Sequence, residues 1–212
     1  MRKFHDVEQN TYDWEQLRLK RATSSNFTSI MAHTVKKDEF DENAKFGPPA
    51  IKYARELAHE IVTGRPYQDK LELKVFDRGH EYEPEAIELY EAETMYKVNN
   101  GGFYSFGNYG DSPDGNIGKD RSLEIKVANE SVMWETIERG GYDPIHKWQI
   151  HGHMWIGNKK SCDFVRYCPE FHKPKRLYVY TVERDETIIE QLEKRMPIFW
   201  ELVEKQIKIL EK

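Results

Sequence analysis

Two acidic residues and one lysine are spaced so that they could act together on one substrate. Asp114 lies in a turn rich in glycine and asparagine, and residues 123–127 alternate between apolar and polar types, as a β-strand does. Because successive side chains of a strand point to opposite faces, Glu124 and Lys126 leave the same face while their apolar neighbours pack inward. Asp114 can meet this pair from the turn, which predicts a compact cluster of two acids and a lysine.

This cluster has the chemistry of a site that hydrolyses phosphate esters. Carboxylate oxygens suit Mg²⁺ and Mn²⁺, hard cations that complete their coordination with water and substrate phosphate oxygens. A lysine beside them can hold or help deprotonate the attacking water, or offset charge that develops on phosphorus. An isolated Glu-x-Lys on a strand is more often a solvated pair. The Pro113-Asp114-Gly115 turn directly upstream favours the catalytic interpretation.

Length and composition indicate a single α/β domain. The chain has 212 residues, of which 33% are charged, and this size fits one domain over 1–212 with residues 1–13 as an N-terminal arm. No apolar run approaches the roughly 20 residues that span a bilayer, and no signal peptide is expected because the sequence after Met1 is polar. We therefore expect no membrane contact. Since Cys162 and Cys168 are the only cysteines, we also expect no disulfide framework and a cytoplasmic location.

The charge balance limits how the protein could hold a nucleic acid. The 32 lysines and arginines are outnumbered by 37 acidic residues, so the formal net charge is −5 and the molecule as a whole does not attract DNA. A DNA path must therefore be a local basic lining. Three segments are candidates for it, although such segments are more often ordinary solvated surface: residues 18–21, 159–160 and 173–176.

Several helices and strands must form if the cluster is to be positioned. Apolar spacing and end signals predict the following elements: helices over 14–19, 48–64, 129–138, 145–156 and 187–210, and strands over 103–109, 162–167 and 176–182. A further helix is expected to start within 71–75 and to lead to Glu83, beside Pro84, which either begins a helical turn or kinks a longer helix. Residues 35–47 are expected to form a loop.

Two serines near the N-terminus have two possible roles. Ser24 and Ser25 precede an apolar segment, where their hydroxyl groups could cap a helix. Alternatively, Ser25 could bind a phosphate together with Arg18, because the N-terminus of a helix offers free N–H groups to an anion. The capping role is the commoner one for serine.

One face of the predicted helix over 145–156 carries polar residues. Gln149 shares this face with His146 and His153, which lie three residues before and four residues after it. The histidines are either ligands of a metal or, more commonly, polar fillers. Gln149 is the better candidate for a contact with DNA or with a metal-bound water.

The order and spacing of several motifs along most of the chain resemble one family of nucleases, that of phage lambda exonuclease and the YqaJ-like viral recombinases. This family carries a PD-(D/E)xK core. The motifs are Trp14-x-x-Leu17-Arg18, Thr23-Ser24-Ser25, Gly79-x-x-Tyr82-Glu83, Ser112-Pro113-Asp114-Gly115, Leu123-Glu124-Ile125-Lys126, Trp148-Gln149 with Met154-Trp155, Tyr167-Cys168-Pro169 and Glu183-Arg184-Asp185.

The resemblance implies a fold and an activity. The fold would be a restriction-endonuclease-like α/β core, with a central mixed β-sheet flanked by helices. The activity would be a Mg²⁺-dependent 5′→3′ exonuclease on linear double-stranded DNA ends, with Mn²⁺ able to replace Mg²⁺. Its 3′ single-stranded tails would serve a phage annealing protein inside a bacterial host, and the family also implies a homotrimeric ring. Two alternatives remain: a restriction or repair endonuclease on the same core, and a catalytically silent subunit that binds DNA ends.

The resemblance also implies a role for each motif residue. The metal would be bound by Glu83, Asp114 and Glu124 with the carbonyl group of Ile125, and Lys126 would be the catalytic lysine beside Asp114 and Glu124. Contacts with the DNA phosphate would come from Arg18 and Ser25, and Gln149 would be the active-site glutamine. The chain departs from the family in residues 127–132, which contain no basic residue where an arginine for the terminal phosphate is expected.

Overall fold

The computed structural model of the protein describes residues 1–67 and 73–212. The α-helices are α1 (Tyr12–Arg18), α2 (Phe27–Met31), α3 (Pro48–Thr63), α4 (Leu73–Thr94), α5 (Glu130–Arg139), α6 (Lys147–Ile156) and α7 (Glu186–Leu210). The strands are β1 (Arg2–His5), β2 (Ala22–Thr23), β3 (Val35–Lys36), β4 (Glu39–Phe40), β5 (Asn99–Asn100), β6 (Phe103–Phe106), β7 (Tyr109–Asp111), β8 (Gly115–Ile117), β9 (Arg121–Val127), β10 (Ser161–Tyr167) and β11 (Leu177–Glu183). Short 3₁₀ segments cover Ser24–Asn26 and Pro144–His146.

A five-stranded mixed sheet forms the centre of the molecule, in the order β11-β10-β9-β8-β5. Strands β9 and β10 are parallel, and the other neighbouring pairs are antiparallel. The connection from β9 to β10 contains α5 and α6, as a parallel pair requires a long crossover. The predicted α/β class with a central mixed sheet flanked by helices is confirmed.

The two faces of this sheet are covered by different helices. Leu123 and Ile125 of β9 pack in one apolar cluster with Ala86 and Tyr90 of α4. On β10, Phe164 packs in another cluster with residues of α6. Because side chains alternate along β9, Glu124 and Lys126 leave the face opposite to Leu123 and Ile125. The predicted alternation of residues 123–127 is confirmed.

A second sheet has four strands in the order β1-β6-β7-β2. The segment predicted to be an N-terminal arm contains β1, which pairs with β6 so that Arg2 lies opposite Phe106. Strand β7 ends at the buried Asp111, three residues before Asp114. The second sheet therefore leads the chain directly into the turn that carries the first acid of the cluster.

A layer of helices packs beside the two sheets. Helices α2, α3 and α7 share one apolar cluster with Trp155 of α6. Helix α3 ends at Gly64, which has a φ angle of 69°, a left-handed conformation that favours glycine at this position. The predicted bounds of this helix and of the C-terminal helix are confirmed within two residues, and Pro197 lies inside α7.

Three sequence-based expectations differ from the structure. The strand predicted over 103–109 is a hairpin of β6 and β7, because the chain turns at Gly107. Residues 35–47 contain the small hairpin of β3 and β4, and residues 115–117, which were expected to belong to the turn after Asp114, form strand β8.

Helix α4 runs through Pro84, which agrees with the alternative of a longer helix that contains this proline. The first residues of the predicted start within 71–75 lie outside the described ranges. No helix in those ranges is long and apolar enough to cross a membrane.

Candidate active site

The residues that the sequence analysis placed in the site line one cleft of about 480 Å³, here called the active-site cleft. They come from α1, the Ser24–Asn26 segment, α4, the turn before β8, strand β9 and helix α6. The members are Arg18, Ser25, Glu83, Asp114, Glu124, Ile125, Lys126 and Gln149. The structure therefore brings together every predicted site residue.

Asp114 is attached to the strand that carries the other motif residues. Its backbone N–H donates to the carbonyl oxygen of Leu123 at 3.0 Å, and its Oδ2 accepts from the backbone N–H of Ile125 at 2.5 Å. Burial raises the pKa of the Asp114 carboxyl well above its usual value, and the nearby carboxylates of Glu124 and Glu83 raise it further. The turn and the strand thus form one rigid unit in which acidic groups crowd each other.

Glu124 has hydrogen-bond partners on both carboxylate oxygens. Its Oε1 accepts from Gln149 Nε2 at 2.6 Å and lies 2.5 Å from Lys126 Nζ. Its Oε2 lies 2.7 Å from His153 Nε2. Burial by itself raises the pKa of this carboxyl, but Lys126 and His153 hold it at about 2. Glu124 is therefore ionised at neutral pH although only 1% of its side chain is exposed.

Lys126 is also held in its charged form. Burial by itself lowers the pKa of the Lys126 ammonium, but Glu124 and Asp114 more than offset that effect, and the pKa is raised. About a third of the side chain remains exposed, at 30%. The ammonium group can therefore reach a molecule bound in the cleft while it stays paired with Glu124.

Behind Glu124 lies a buried hydrogen-bonded chain that the sequence analysis did not find. His153 Nδ1 lies 2.6 Å from Asp111 Oδ1, and the hydroxyl group of Ser24 donates to the same oxygen. Burial lowers the pKa of His153, but Asp111 and Glu124 outweigh this and raise it to about 10. His153 is therefore a buried imidazolium that bridges two carboxylates, a structural role nearer to the expected polar filler than to a metal ligand.

Close packing of α6 makes this chain possible. A side-chain carbon on Gly152 would lie 2.9 Å from Ser24 Cβ and 2.9 Å from a ring carbon of Phe27. Only glycine lets α6 come this near to the Ser24–Asn26 segment. The expectation that Ser24 caps a helix is wrong, because no side chain caps α2 and the Ser24 hydroxyl group binds Asp111.

We predict that His153→Ala lowers the free energy of unfolding by about 3–5 kcal/mol, the range for breaking a buried ion pair. Asp111 and Glu124 would both lose the cation between them. Urea denaturation at neutral pH measures the change. His172→Ala, at an exposed loop position, is the matched control and should alter stability by less than about 0.5 kcal/mol. Equal stability of the two variants would show that the bridge contributes nothing to folding.

Glu83 approaches the cluster from α4. Its Oε2 lies 3.8 Å from His80 Nδ1. Burial raises the pKa of the Glu83 carboxyl, and the charge of Glu124 raises it further against the opposing effect of His80. Glu83 and Asp114 are thus both destabilised as anions, first by burial and then by the carboxylates around them.

The donor set of the cleft fits a hard divalent cation in its chemistry. It offers carboxylate oxygens from three residues, and a bound cation would offset the burial and the repulsion that raise the pKa values of Glu83 and Asp114. Among the residues whose side chains the structure describes, however, no group of three or more acidic, histidine or cysteine side chains stands in position to hold a metal. Both oxygens of Glu124 are instead paired with side chains of the protein.

Arg18 and Ser25 lie on the N-terminal side of the cleft. The guanidinium carbon of Arg18 stacks 4.3 Å from the centre of the Trp14 ring, and Trp14 Nε1 donates to Ser112 Oγ at 2.8 Å. Ser25 is exposed, and its hydroxyl oxygen lies 3.2 Å from that of Thr23. Stacking on Trp14 thus orients the arginine next to the turn that carries Asp114.

Of the basic segments considered as a DNA lining, one contains a buried lysine. Lys159 is only 4% exposed, and its ammonium donates to the carbonyl oxygen of Lys119 at 3.0 Å. Its neighbour Lys160 is exposed and paired with Asp120 at 2.8 Å. Lys159 is therefore a structural residue, and the idea that residues 159–160 both face DNA is wrong.

A mixed sheet that carries an acid–lysine cluster beside its parallel strand pair has the chemistry expected of a nuclease. More particularly, the chain belongs to the family of the YqaJ-like viral recombinase domain, whose sequence model matches residues 13–160. The resemblance drawn from the motifs is thereby confirmed. No protein of curated function matches the sequence at a significant level.

Solved structures agree with this assignment. The chain is 27% identical to LHK-Exo, an alkaline exonuclease from Laribacter hongkongensis, with a TM-score of 0.78 over 95% of this chain and 96% of that one. The complex of LHK-Exo with dAMP gives 26% identity and a TM-score of 0.80 with the same coverage. A phage-related exonuclease from Haemophilus somnus 129PT shares the fold at 12% identity, with a TM-score of 0.69 over 90% of this chain and 96% of that one.

Proposed function

We propose that the protein is a Mg²⁺-dependent DNA exonuclease that degrades one strand of linear duplex DNA from its 5′ end. The 3′ single-stranded tails it leaves would be used in recombination by strand annealing. The observation that carries this proposal is the active-site cleft, in which the acid–lysine cluster lies beside Arg18 and Ser25. A cleft with both parts suits an enzyme that binds a DNA end and hydrolyses the nearby phosphodiester. The similarity to LHK-Exo, an alkaline exonuclease, supports the same activity.

The chain's own residues have distinct parts in this reaction. Glu83, Asp114 and Glu124, with the Ile125 carbonyl group, would hold Mg²⁺ or Mn²⁺. When bound, such an ion polarises the phosphate and lowers the pKa of water. Lys126 orients the attacking water or offsets charge on phosphorus.

Three further residues of the cleft position the reacting groups in this proposal. Gln149 donates to Glu124 Oε1 at 2.6 Å and so fixes the direction of that carboxylate. Arg18 and Ser25 hold a phosphate of the DNA end, the arginine by charge-assisted hydrogen bonds and the serine through its hydroxyl group. A phosphate held on this side of the cleft would set which phosphodiester reaches the acids.

A comparison of DNA topologies tests the activity. Purified protein with Mg²⁺ should degrade linear duplex completely, spare closed circular duplex of the same sequence, and release product from 5′-labelled ends first. Cleavage of closed circles would favour the endonuclease alternative. Binding of ends without any cleavage would favour the silent subunit, and release from 3′-labelled ends would contradict the polarity.

The remaining parts of the proposal rest on family resemblance. They are a single exonuclease domain over 1–212, a homotrimeric ring, a phage single-strand annealing protein as partner, and a location in the cytoplasm of a bacterial host. Sedimentation equilibrium tests the trimer. A monomer at all concentrations that support processive degradation would contradict it.

We predict that Arg18→Ala slows digestion of duplexes with a 5′ phosphate by about 10- to 100-fold. The lost contact is a hydrogen bond to a charged group, worth about 1.5–3 kcal/mol. The loss of rate should be much smaller on 5′-hydroxyl ends. Initial rates of the parental protein and of Arg18→Ala on the two substrates therefore form a double-mutant cycle that isolates the contact with the terminal phosphate. Arg139→Ala is the control, since Arg139 lies on α5 beside Asp143. Equal losses of rate on both kinds of end would show that Arg18 contacts the DNA backbone in general and not the terminal phosphate.

A further inference from the structure

An arginine outside the predicted site also lines the active-site cleft. Arg78, at the N-terminal part of α4, borders it together with Glu83, Lys126 and Val127. Its Nη2 lies 3.5 Å from the carbonyl oxygen of Ala128, just beyond the end of β9. Helix α4 thus places a permanent positive charge near the C-terminal end of β9, the strand that carries Glu124 and Lys126.

The Arg78 guanidinium is only partly engaged by the protein. Its Nη2 donates to both carboxylate oxygens of Glu170, at 2.8 and 2.6 Å. Among the residues whose side chains the structure describes, all of its hydrogen bonds use this one nitrogen, which leaves Nη1 and Nε as donors for a ligand. The pair is solvent-exposed, with 45% of the Arg78 side chain and 46% of the Glu170 side chain accessible. Exposed pairs of this kind add little net stability.

The pair is not needed to hold the segment around Glu170 in place. The backbone N–H of Cys168 donates to the carbonyl oxygen of Arg176 at 2.9 Å, and the backbone N–H of Phe171 donates to the carbonyl oxygen of Cys168 at 3.1 Å. The Phe171 ring also packs edge-on against Trp134 of α5, with ring centres 6.3 Å apart. This segment is therefore held by contacts on both sides that do not involve Arg78, so the Arg78–Glu170 pair is not required for the position of the segment.

We propose that Arg78 binds a phosphate of the DNA substrate through its free nitrogens, while Glu170 holds the guanidinium at the rim of the cleft. Without Arg78, the three acidic side chains of the cleft, Glu83, Asp114 and Glu124, outnumber its other two cations, Arg18 and Lys126, and residues 127–132 at the end of β9 contain no basic residue. A polyanion that enters here needs a cation from another element, and Arg78 supplies it. This inference rests on the proposed action on DNA and adds a contact that the motif residues do not provide.

Binding of a labelled linear duplex in EDTA, measured by fluorescence anisotropy over a range of salt concentrations, tests the contact without cleavage. Arg78→Ala should weaken binding about tenfold and lower the slope of log K against log salt by about 1, because each phosphate contact releases about one counterion. Arg78→Lys should keep the slope. Arg139→Ala, on the surface of α5, should change neither quantity.

The Glu170→Gln variant distinguishes a phosphate contact by Arg78 from an Arg78–Glu170 pair that only stabilises the fold. If the pair only joined two parts of the fold, Arg78→Ala and Glu170→Gln would weaken binding equally. We expect instead that Glu170→Gln keeps the salt slope and binds within about twofold of the parental protein. An unchanged slope in Arg78→Ala, or matching losses in the two variants, would overturn the proposal. Thermal unfolding of each variant verifies that it is folded.

Two further comparisons identify which phosphate of the DNA Arg78 contacts, and distinguish failure of this proposal from failure of the proposed exonuclease activity. If Arg78→Ala weakens binding of both 5′-phosphate and 5′-hydroxyl duplexes, the contact is with an internal phosphodiester. If it weakens binding of 5′-phosphate duplexes alone, the contact is with the terminal phosphate. Either result supports the proposed contact. Parental protein that binds duplex but does not cleave it with Mg²⁺ contradicts the exonuclease alone. Parental protein that does not bind duplex contradicts both proposals.

Discussion

Replacing Lys126 with alanine is expected to lower the rate of DNA cleavage by roughly 100- to 10,000-fold, the usual range for a group that assists proton transfer or charge development in the transition state. The Lys126 ammonium lies 2.5 Å from Glu124 Oε1 and remains partly exposed to the cleft. Alanine removes this charge at the position where the phosphodiester would react. Single-turnover digestion of linear duplex with saturating Mg²⁺ measures the loss directly.

The fold should survive this substitution. Glu124 would keep its hydrogen bonds to Gln149 and His153, so its charge would not be left without a partner. We therefore expect Lys126→Ala to bind duplex DNA and to unfold cooperatively. Lys160→Ala is the control, because Lys160 is an exposed lysine paired with Asp120. If folded Lys126→Ala cleaves at a rate near that of Lys160→Ala, then Lys126 is not the catalytic lysine.

The second large effect is expected on metal binding. Asp114→Asn should weaken binding of Mg²⁺ or Mn²⁺ by more than about 100-fold, because changes to mere outer-shell partners of a metal site already cost about 10- to 100-fold. An amide keeps the shape of the side chain and can still accept from the Ile125 N–H, but it lacks the anionic oxygen that these cations prefer. Isothermal titration calorimetry measures the affinity, and cleavage should fall in parallel.

Glu124→Gln should have the same effect on metal binding, with an additional loss of stability. The amide nitrogen of glutamine would face donors from Gln149, Lys126 or His153, where an oxygen now accepts. Asp114→Asn is therefore the cleaner of the two variants. Unchanged calorimetric binding in both would contradict the assignment of these acids as metal ligands. Removal of zinc by a selective chelator should leave activity intact, because the proposed ligands are all oxygen atoms.

Several parts of the fold could be predicted because their signals are local. The helix that begins at Pro48 and ends at Gly64 has its start, its apolar spacing and its left-handed end within one short segment. The alternation of β9 separates Glu124 and Lys126 from Leu123 and Ile125 by strand geometry alone. The hairpin of β6 and β7 was missed because an unbroken alternation of residues continues through the turn at Gly107.

Asp114, Glu124 and Lys126 lie close together along the chain, so the amino-acid sequence is enough to predict that they form a cluster. The groups that surround this cluster depend on the tertiary structure. His153 meets Asp111 across 42 residues of sequence and meets Glu124 across 29. Such pairings depend on how α6 packs against both sheets, and no local spacing encodes them. Burial between two carboxylates then makes His153 a cation, a state that the sequence of a lone histidine does not reveal.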